Sequence, residues 1–187
     1  VVERLNGLLF YPTLYEGFEY SRNIIYTGAA PNQNSVQLAE HMMREYGSRV
    51  YMVGSDYIYP YESNRIMSDL LLERGGEKLG ERYVNLSSDP SSFIDVVNDI
   101  KAKRPDFIFS TVVGQSTAAF YRAYADVGLD PAHMPIASLT TSETELQEME
   151  SGIATGHITA STYFQSIDND VNRRCVAKVK QRFGENT

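Results

Sequence analysis

Apolar residues come in short runs, and the stretches between them carry apolar residues at helical spacing. Leu8–Phe10 and Ile24–Tyr26 read as strands. From residue 34 onward a regular alternation sets in. Leu38, Met42 and Met43 predict a helix over 34–46, ended by Gly47. Arg49–Gly54 reads as a strand, and Ile66, Met67, Leu70 and Leu71 predict a helix over Glu62–Arg74. Lys78–Leu86 is the next strand. Asp89-Pro90 then reads as a cap with proline at the first helical position, opening a helix that runs to Lys103 before Pro105. The pattern continues with a strand within Asp106–Val113 and a helix over Gln115–Val127. A strand at Pro135–Leu139 and a helix at Thr141–Glu150 follow, then a strand-like run at His157–Tyr163 and a helix near Val171–Phe183.

Strands alternating with helices predict βαβ units, hence an α/β fold with a doubly wound parallel sheet. Residues 34–155 read as one doubly wound lobe. Residues 1–33 read as the end of a neighbouring lobe with a first crossing at Thr27–Asn34, and 156–187 as a second crossing with a returning helix. Both ends read as cut, so the chain is expected to be part of a larger protein.

Composition narrows the function. A net charge of −7 with no basic block argues against direct contact with nucleic acid. No apolar run approaches the roughly 20 residues of a membrane-spanning helix. Cys175 is the only cysteine, so an internal disulfide is impossible. His41, His133 and His157 are far apart in sequence, and no metal-ligand spacing occurs. Gly54-Ser-Asp lacks a phosphate-loop spacing and its lysine, so no cofactor is expected. Asn85-Leu-Ser87 matches a glycosylation pattern at the level of chance. Val113-Gly114-Gln-Ser116-Thr-Ala118 comes close to a nucleophile elbow, with Ala118 in place of the second glycine. The competing explanation is a helix N-terminus with polar first residues.

Tyrosines mark the candidate site. Nine of the 13 lie within the first 61 residues. Tyr11, Thr13, Tyr57 and Tyr59 stand just past predicted strand ends, where open α/β sheets bind ligands. Tyr15, Tyr20, Tyr26 and Tyr46 read as packing or surface residues. A third loop, Ala137–Glu143, follows a strand and opens a helix, which Thr141 or Ser142 could cap. None of the three loops holds a lysine or arginine, which disfavours an anionic ligand. If Glu16 and Asp56 point away from the site, a neutral ligand is expected. If either points in, a cationic amine becomes plausible.

The runs Tyr11–Tyr20, Ala30–Asn34, Val53–Pro60, Phe109–Gly114 and Ala137–Glu143 are similar to the type I periplasmic-binding-protein family. Within it they resemble the amide sensors that regulate aliphatic amidase operons, close to urea and short-chain amide receptors. The resemblance implies a non-catalytic receptor with two α/β lobes, a hinge and a ligand in the cleft. Most of the first lobe, with a serine-bearing loop that contributes to the pocket, would lie outside this chain. Carried over by position, Tyr11 and Thr13 would hydrogen-bond an amide from one lobe. Tyr57 would reach across from the other, with Tyr59 and Thr140 lining the pocket. Leu14 departs from the proline of the amide sensors and keeps an N–H that proline lacks. As a regulator the protein would act in the cytoplasm on an RNA-binding antiterminator. As a transport receptor for urea, short amides or branched-chain amino acids it would be periplasmic and dock on a membrane permease. The regulator, and so the cytoplasm, is the expectation.

Overall fold

The structure, a computed structural model, describes residues 1–17 and 19–185. Two parallel sheets carry the chain. The smaller pairs β1 (Leu9–Tyr11) with β2 (Ile24–Tyr26), Leu9 opposite Ile24 and Tyr11 opposite Tyr26. The larger holds β3 (Arg49–Ser55), β4 (Glu77–Val84), β5 (Phe107–Thr111), β6 (Ile136–Ser138) and β7 (Ile158–Thr159). Its spatial order is β4-β3-β5-β6-β7, and every neighbouring pair is parallel. The order reverses between β3 and β5, which makes their carboxyl ends the topological switch point. The sheet continues past residue 155, because Ile158 pairs with Ala137 and Thr159 with Ser138.

Five helices occupy the crossovers: α1 (Ser35–Glu45), α2 (Ile58–Glu73), α3 (Ile94–Lys103), α4 (Gln115–Asp126) and α5 (Glu143–Gln147). A sixth, α6 (Asp170–Phe183), follows β7. The period-2 alternation of β3 divides the interior. Tyr51 and Val53 pack with Val97 and Ile100 of α3 and Phe120 and Tyr124 of α4. Val50 and Met52 pack on the other face with Leu38 and Met42 of α1 and Met67 and Leu71 of α2. Each large side chain buried here contributes about 2 kcal/mol through loss of apolar surface from water. A polar thread crosses this interior. Thr111 Oγ1 donates to Asn64 Oδ1 at 3.0 Å, and Asn64 Nδ2 donates to the Tyr83 hydroxyl at 3.2 Å.

Several boundaries differ from the sequence expectations. β1 is one residue later than expected, so Tyr11 ends the strand. α2 begins at Ile58, four residues early, because Pro60 falls in its first turn, where a missing N–H costs nothing. The helix after Asp89 opens with a 3-10 turn at Pro90–Phe93, and the Asp89 carboxylate accepts from Ser92 N–H at 3.1 Å. The expected helix to Glu150 shrinks to Glu143–Gln147, and the strand at 157–163 to two residues. Among the described residues, no helix is long and apolar enough to cross a membrane.

Candidate ligand-binding site

The carboxyl ends of both sheets turn toward one region. β1 leads to Pro12–Leu14, β2 to Thr27–Ala29, β6 to Leu139 and β7 to Ala160–Thr162, and these segments line a common cavity of about 360 Å³ with Asn34. Thr13 and Leu139 therefore line one cavity although they stand 126 positions apart in sequence, and Thr140 follows Leu139 directly. Gly28 makes this convergence possible. A Cβ at position 28 would lie 1.7 Å from the Thr13 carbonyl oxygen, so only glycine lets the first crossing pass against the Thr13 loop.

Tyr11 approaches from the small sheet. Its ring lies 5.8 Å from that of Tyr26. Burial and then Glu16 hold its ionisation above the usual tyrosine range. Tyr57 approaches from the large sheet as the residue that precedes α2. Its hydroxyl is also raised, first by burial and then by the Glu16 charge. Asp56 is otherwise engaged, for it accepts the Tyr61 hydroxyl.

Tyr59 is 4% exposed, and its ring lies 6.3 Å from Tyr57. Its hydroxyl is buried without a hydrogen-bond partner of good geometry. Burial pushes its ionisation up to about 12, and the Ser63 hydroxyl one turn away lowers it slightly. Gly54 sets the depth at which this turn sits. A Cβ there would come within 2.7 Å of Thr111 Oγ1 and 2.8 Å of Pro60 Cβ, so its absence lets α2 settle onto β3 and β5. Thr140 is half-buried, and its hydroxyl donates to Val112 O at 2.6 Å. Only its lone pairs remain for a ligand. Ser138 Oγ holds the turn together by accepting from Thr140 N–H at 3.1 Å, Thr141 N–H at 3.0 Å and Thr141 Oγ1 at 2.8 Å.

Of the five residues singled out in the sequence, Thr13 and Thr140 lie beside the cavity, Tyr57 and Tyr59 stand next to each other, and Tyr11 stands next to Tyr26. Three further residues escaped that reading. Leu139 and Asn34 carry no chemical signal of their own, and Tyr26, taken for packing, also buries an unpartnered hydroxyl.

The nucleophile-elbow pattern does not form a catalytic site. Ser116 is fully buried, and its Oγ accepts the Ser88 N–H at 2.8 Å. His41 contacts Arg44, His133 contacts Asp130, and His157 accepts from Ile136 N–H at 2.9 Å. Among the described residues, no three His, Cys, Asp or Glu side chains are grouped to hold a metal ion.

Two parallel sheets, with segments that follow strands of each lining one cavity, describe one arrangement, and the sequence profile of the periplasmic binding protein domain matches residues 1–187. The chain belongs to the periplasmic binding protein domain family. This family consists of substrate-binding receptors, and the chain forms one lobe of the type I fold with adjoining segments. Similar folds occur in a solute-binding protein of an ABC transporter from Rhodopseudomonas palustris BisB5 in complex with 3,4-dihydroxybenzoic acid. That structure has a TM-score of 0.74 and 24% identity over 88% of this chain and 45% of that one. An amino acid ABC transporter substrate-binding protein from Pseudomonas fluorescens Pf-5 matches at TM-score 0.77 and 19% identity, covering 98% and 50%. A leucine-, isoleucine-, valine-, threonine- and alanine-binding protein from Brucella ovis, in a closed conformation, matches at 0.74 and 16%, covering 87% and 41%. The chain thus spans about half the length of these periplasmic binding proteins.

Proposed function

We propose that this chain is part of a non-catalytic, two-lobed receptor that captures a short amide or a urea-like molecule for an ABC transporter. Residues 1–33 would end lobe one and make the first crossing, 34–155 would form lobe two, and 156–187 would make the second crossing and the returning helix. β7 completes the lobe-two sheet from within that last segment. The observation that carries this reading is the shared cavity, lined by the segments that follow β1 and β2 of the small sheet and β6 and β7 of the large one, Thr13 and Leu139 among them. Ligand would contact Tyr11 and Thr13 on one side and Tyr57, Tyr59 and Thr140 on the other. Contacts made only in the closed state would shift the open–closed equilibrium.

The transport arm is preferred to an amidase-operon regulator because the three similar structures named above are transport receptors. A membrane permease rather than an RNA-binding antiterminator is then the partner, and the periplasm replaces the cytoplasm as the expected address. The amide reading rests on the tyrosine- and threonine-bearing loops, which carry no lysine or arginine to hold an aromatic acid.

Calorimetric titration of the full-length protein with acetamide, urea, leucine and 4-hydroxybenzoate tests the reading. Binding of acetamide or urea is expected. Binding of leucine or 4-hydroxybenzoate alone would replace the ligand class, and no heat with any of the four would remove the receptor reading.

A further inference from the structure

We propose that Glu143 is a positioning residue that ties the segment after β7 to the start of α5 and thereby sets ligand affinity from outside the cavity. The inference rests on the receptor reading above and adds a residue that the reading does not use.

The loop after β6 ends in two acids with separate roles. Glu145 closes the first turn of its own helix by accepting the Ser142 N–H at 2.8 Å. Glu143, the first residue of α5, reaches another part of the chain. Its Oε2 accepts the Gln165 N–H at 2.7 Å, and its Oε1 accepts the Ser166 N–H at 2.9 Å. One carboxylate thus holds two successive backbone donors that lie 22 and 23 positions further along the sequence. Hydrogen bonds to an ionised acceptor are roughly twice as strong as neutral ones. Gln165 and Ser166 are exposed and belong to no helix or strand, so no ladder of their own sets their place.

The held segment continues into α6. Asn172, in the first turn of that helix, is 8% exposed. Its Nδ2 donates to Gln165 O and Ile167 O, each at 2.8 Å, and its Oδ1 accepts the Tyr163 hydroxyl at 2.8 Å. The start of α5, residues 163–167 and the start of α6 are therefore one bonded unit.

The cavity lies just before this unit in the chain. Ala160–Thr162 line it together with Leu139. Ala160 is fixed to that wall through its N–H, which donates to Ser138 O at 3.0 Å. Ser161 and Thr162 then run between two anchors, Ser138 behind them and Glu143 ahead. Without the second anchor a ligand would have to order this wall as it binds, at the expense of part of its binding free energy. Glu143 stands outside the cavity lining, so its substitution removes no ligand contact.

Hydrogen exchange and calorimetry on the full-length protein test the assignment, with acetamide, urea, leucine and 4-hydroxybenzoate as probes. In the ligand-free wild type, the Gln165 and Ser166 amides are expected to exchange about tenfold or more slowly than unbonded amides of an exposed loop. In Glu143→Gln the side-chain NH2 cannot accept. Exchange at one of the two amides should therefore rise about tenfold, and affinity for whichever probe binds the wild type should fall about tenfold. Glu143→Ala removes both acceptors and should go further in both measurements. Unprotected Gln165 and Ser166 amides in the wild type would overturn the assignment, and this measurement needs no variant. A lower urea midpoint in a variant whose affinity is unchanged would leave Glu143 a stabilising contact alone and would overturn it as well, while the retained binding keeps the receptor reading standing. Failure of all four probes to bind the wild type would remove the receptor reading, and the affinity role of Glu143 with it.

Discussion

His157 is wedged edge-on between the rings of Tyr121 and Tyr124, each 4.8 Å away, and burial pushes its ionisation down to about 4. In the unfolded chain a histidine takes its proton near pH 6.5, so acid favours unfolding here. The stabilisation from a neutral His157 is complete above pH 6.5 and is lost as pH falls toward 4. Roughly 2 kcal/mol should disappear between pH 7 and 5. Urea unfolding at the two pH values measures this, and His157→Gln should flatten that part of the profile. Tyr59 gives a prediction with opposite signs. Removing a buried, unpartnered hydroxyl in Tyr59→Phe should raise stability by about 1 kcal/mol, while ligand affinity falls because the ligand can no longer supply the missing partner. Unchanged affinity would place Tyr59 in the core alone. The sequence named Tyr59 from its position after a strand, yet burial of its hydroxyl depends on α2, whose start was obscured by Pro60.

At the scale of elements, the alternation of strand and helix was legible from residue 34 to 150, because each apolar period is local. Short elements were less so. β7 is two residues long, and its pairing with β6 depends on Ser138 and Thr159, which no local pattern links. The Val113–Ala118 run also shows how a motif can serve architecture. Ser116 joins the start of α4 to the loop after β4 by accepting the Ser88 N–H. Ser116→Ala should cost about 1–3 kcal/mol by leaving that donor without a partner, read as a lower urea midpoint, and should alter no hydrolytic activity. The crossing between sheets is equally sensitive. In Gly28→Ala the new methyl cannot coexist with the Thr13 carbonyl. The expected result is a loss of roughly 1–3 kcal/mol in stability, with weaker ligand binding from the displaced Thr13.

Across the whole molecule, the interior of the large sheet is closed, whereas the small sheet and α6 leave large apolar groups in solvent. Phe10 is 60% exposed, Leu8 64% and Phe183 64%. Such groups promote association when they are grouped on a surface. The 187-residue chain alone should therefore sediment above its 21.0 kDa monomer mass, and Phe10→Ser with Phe183→Ser should restore monomer behaviour. The chain alone should also bind acetamide or urea much more weakly than the full-length protein, since small ligands need nearly complete enclosure. This imbalance is not legible in the apolar pattern, because an apolar strand reads the same whether its face is covered or open.

The three-residue pairing of β1 with β2 has a consequence for how a ligand would be sensed. A pair this short and this exposed should open often, and its amides should exchange with solvent well ahead of those in β3 and β5. A ligand held by Tyr11 and Thr13 would slow that exchange, so occupancy should register as protection of Leu9, Phe10 and Tyr11. Part of the binding free energy would go into ordering this pair, and mutations that stiffen it, without touching the ligand, should tighten binding.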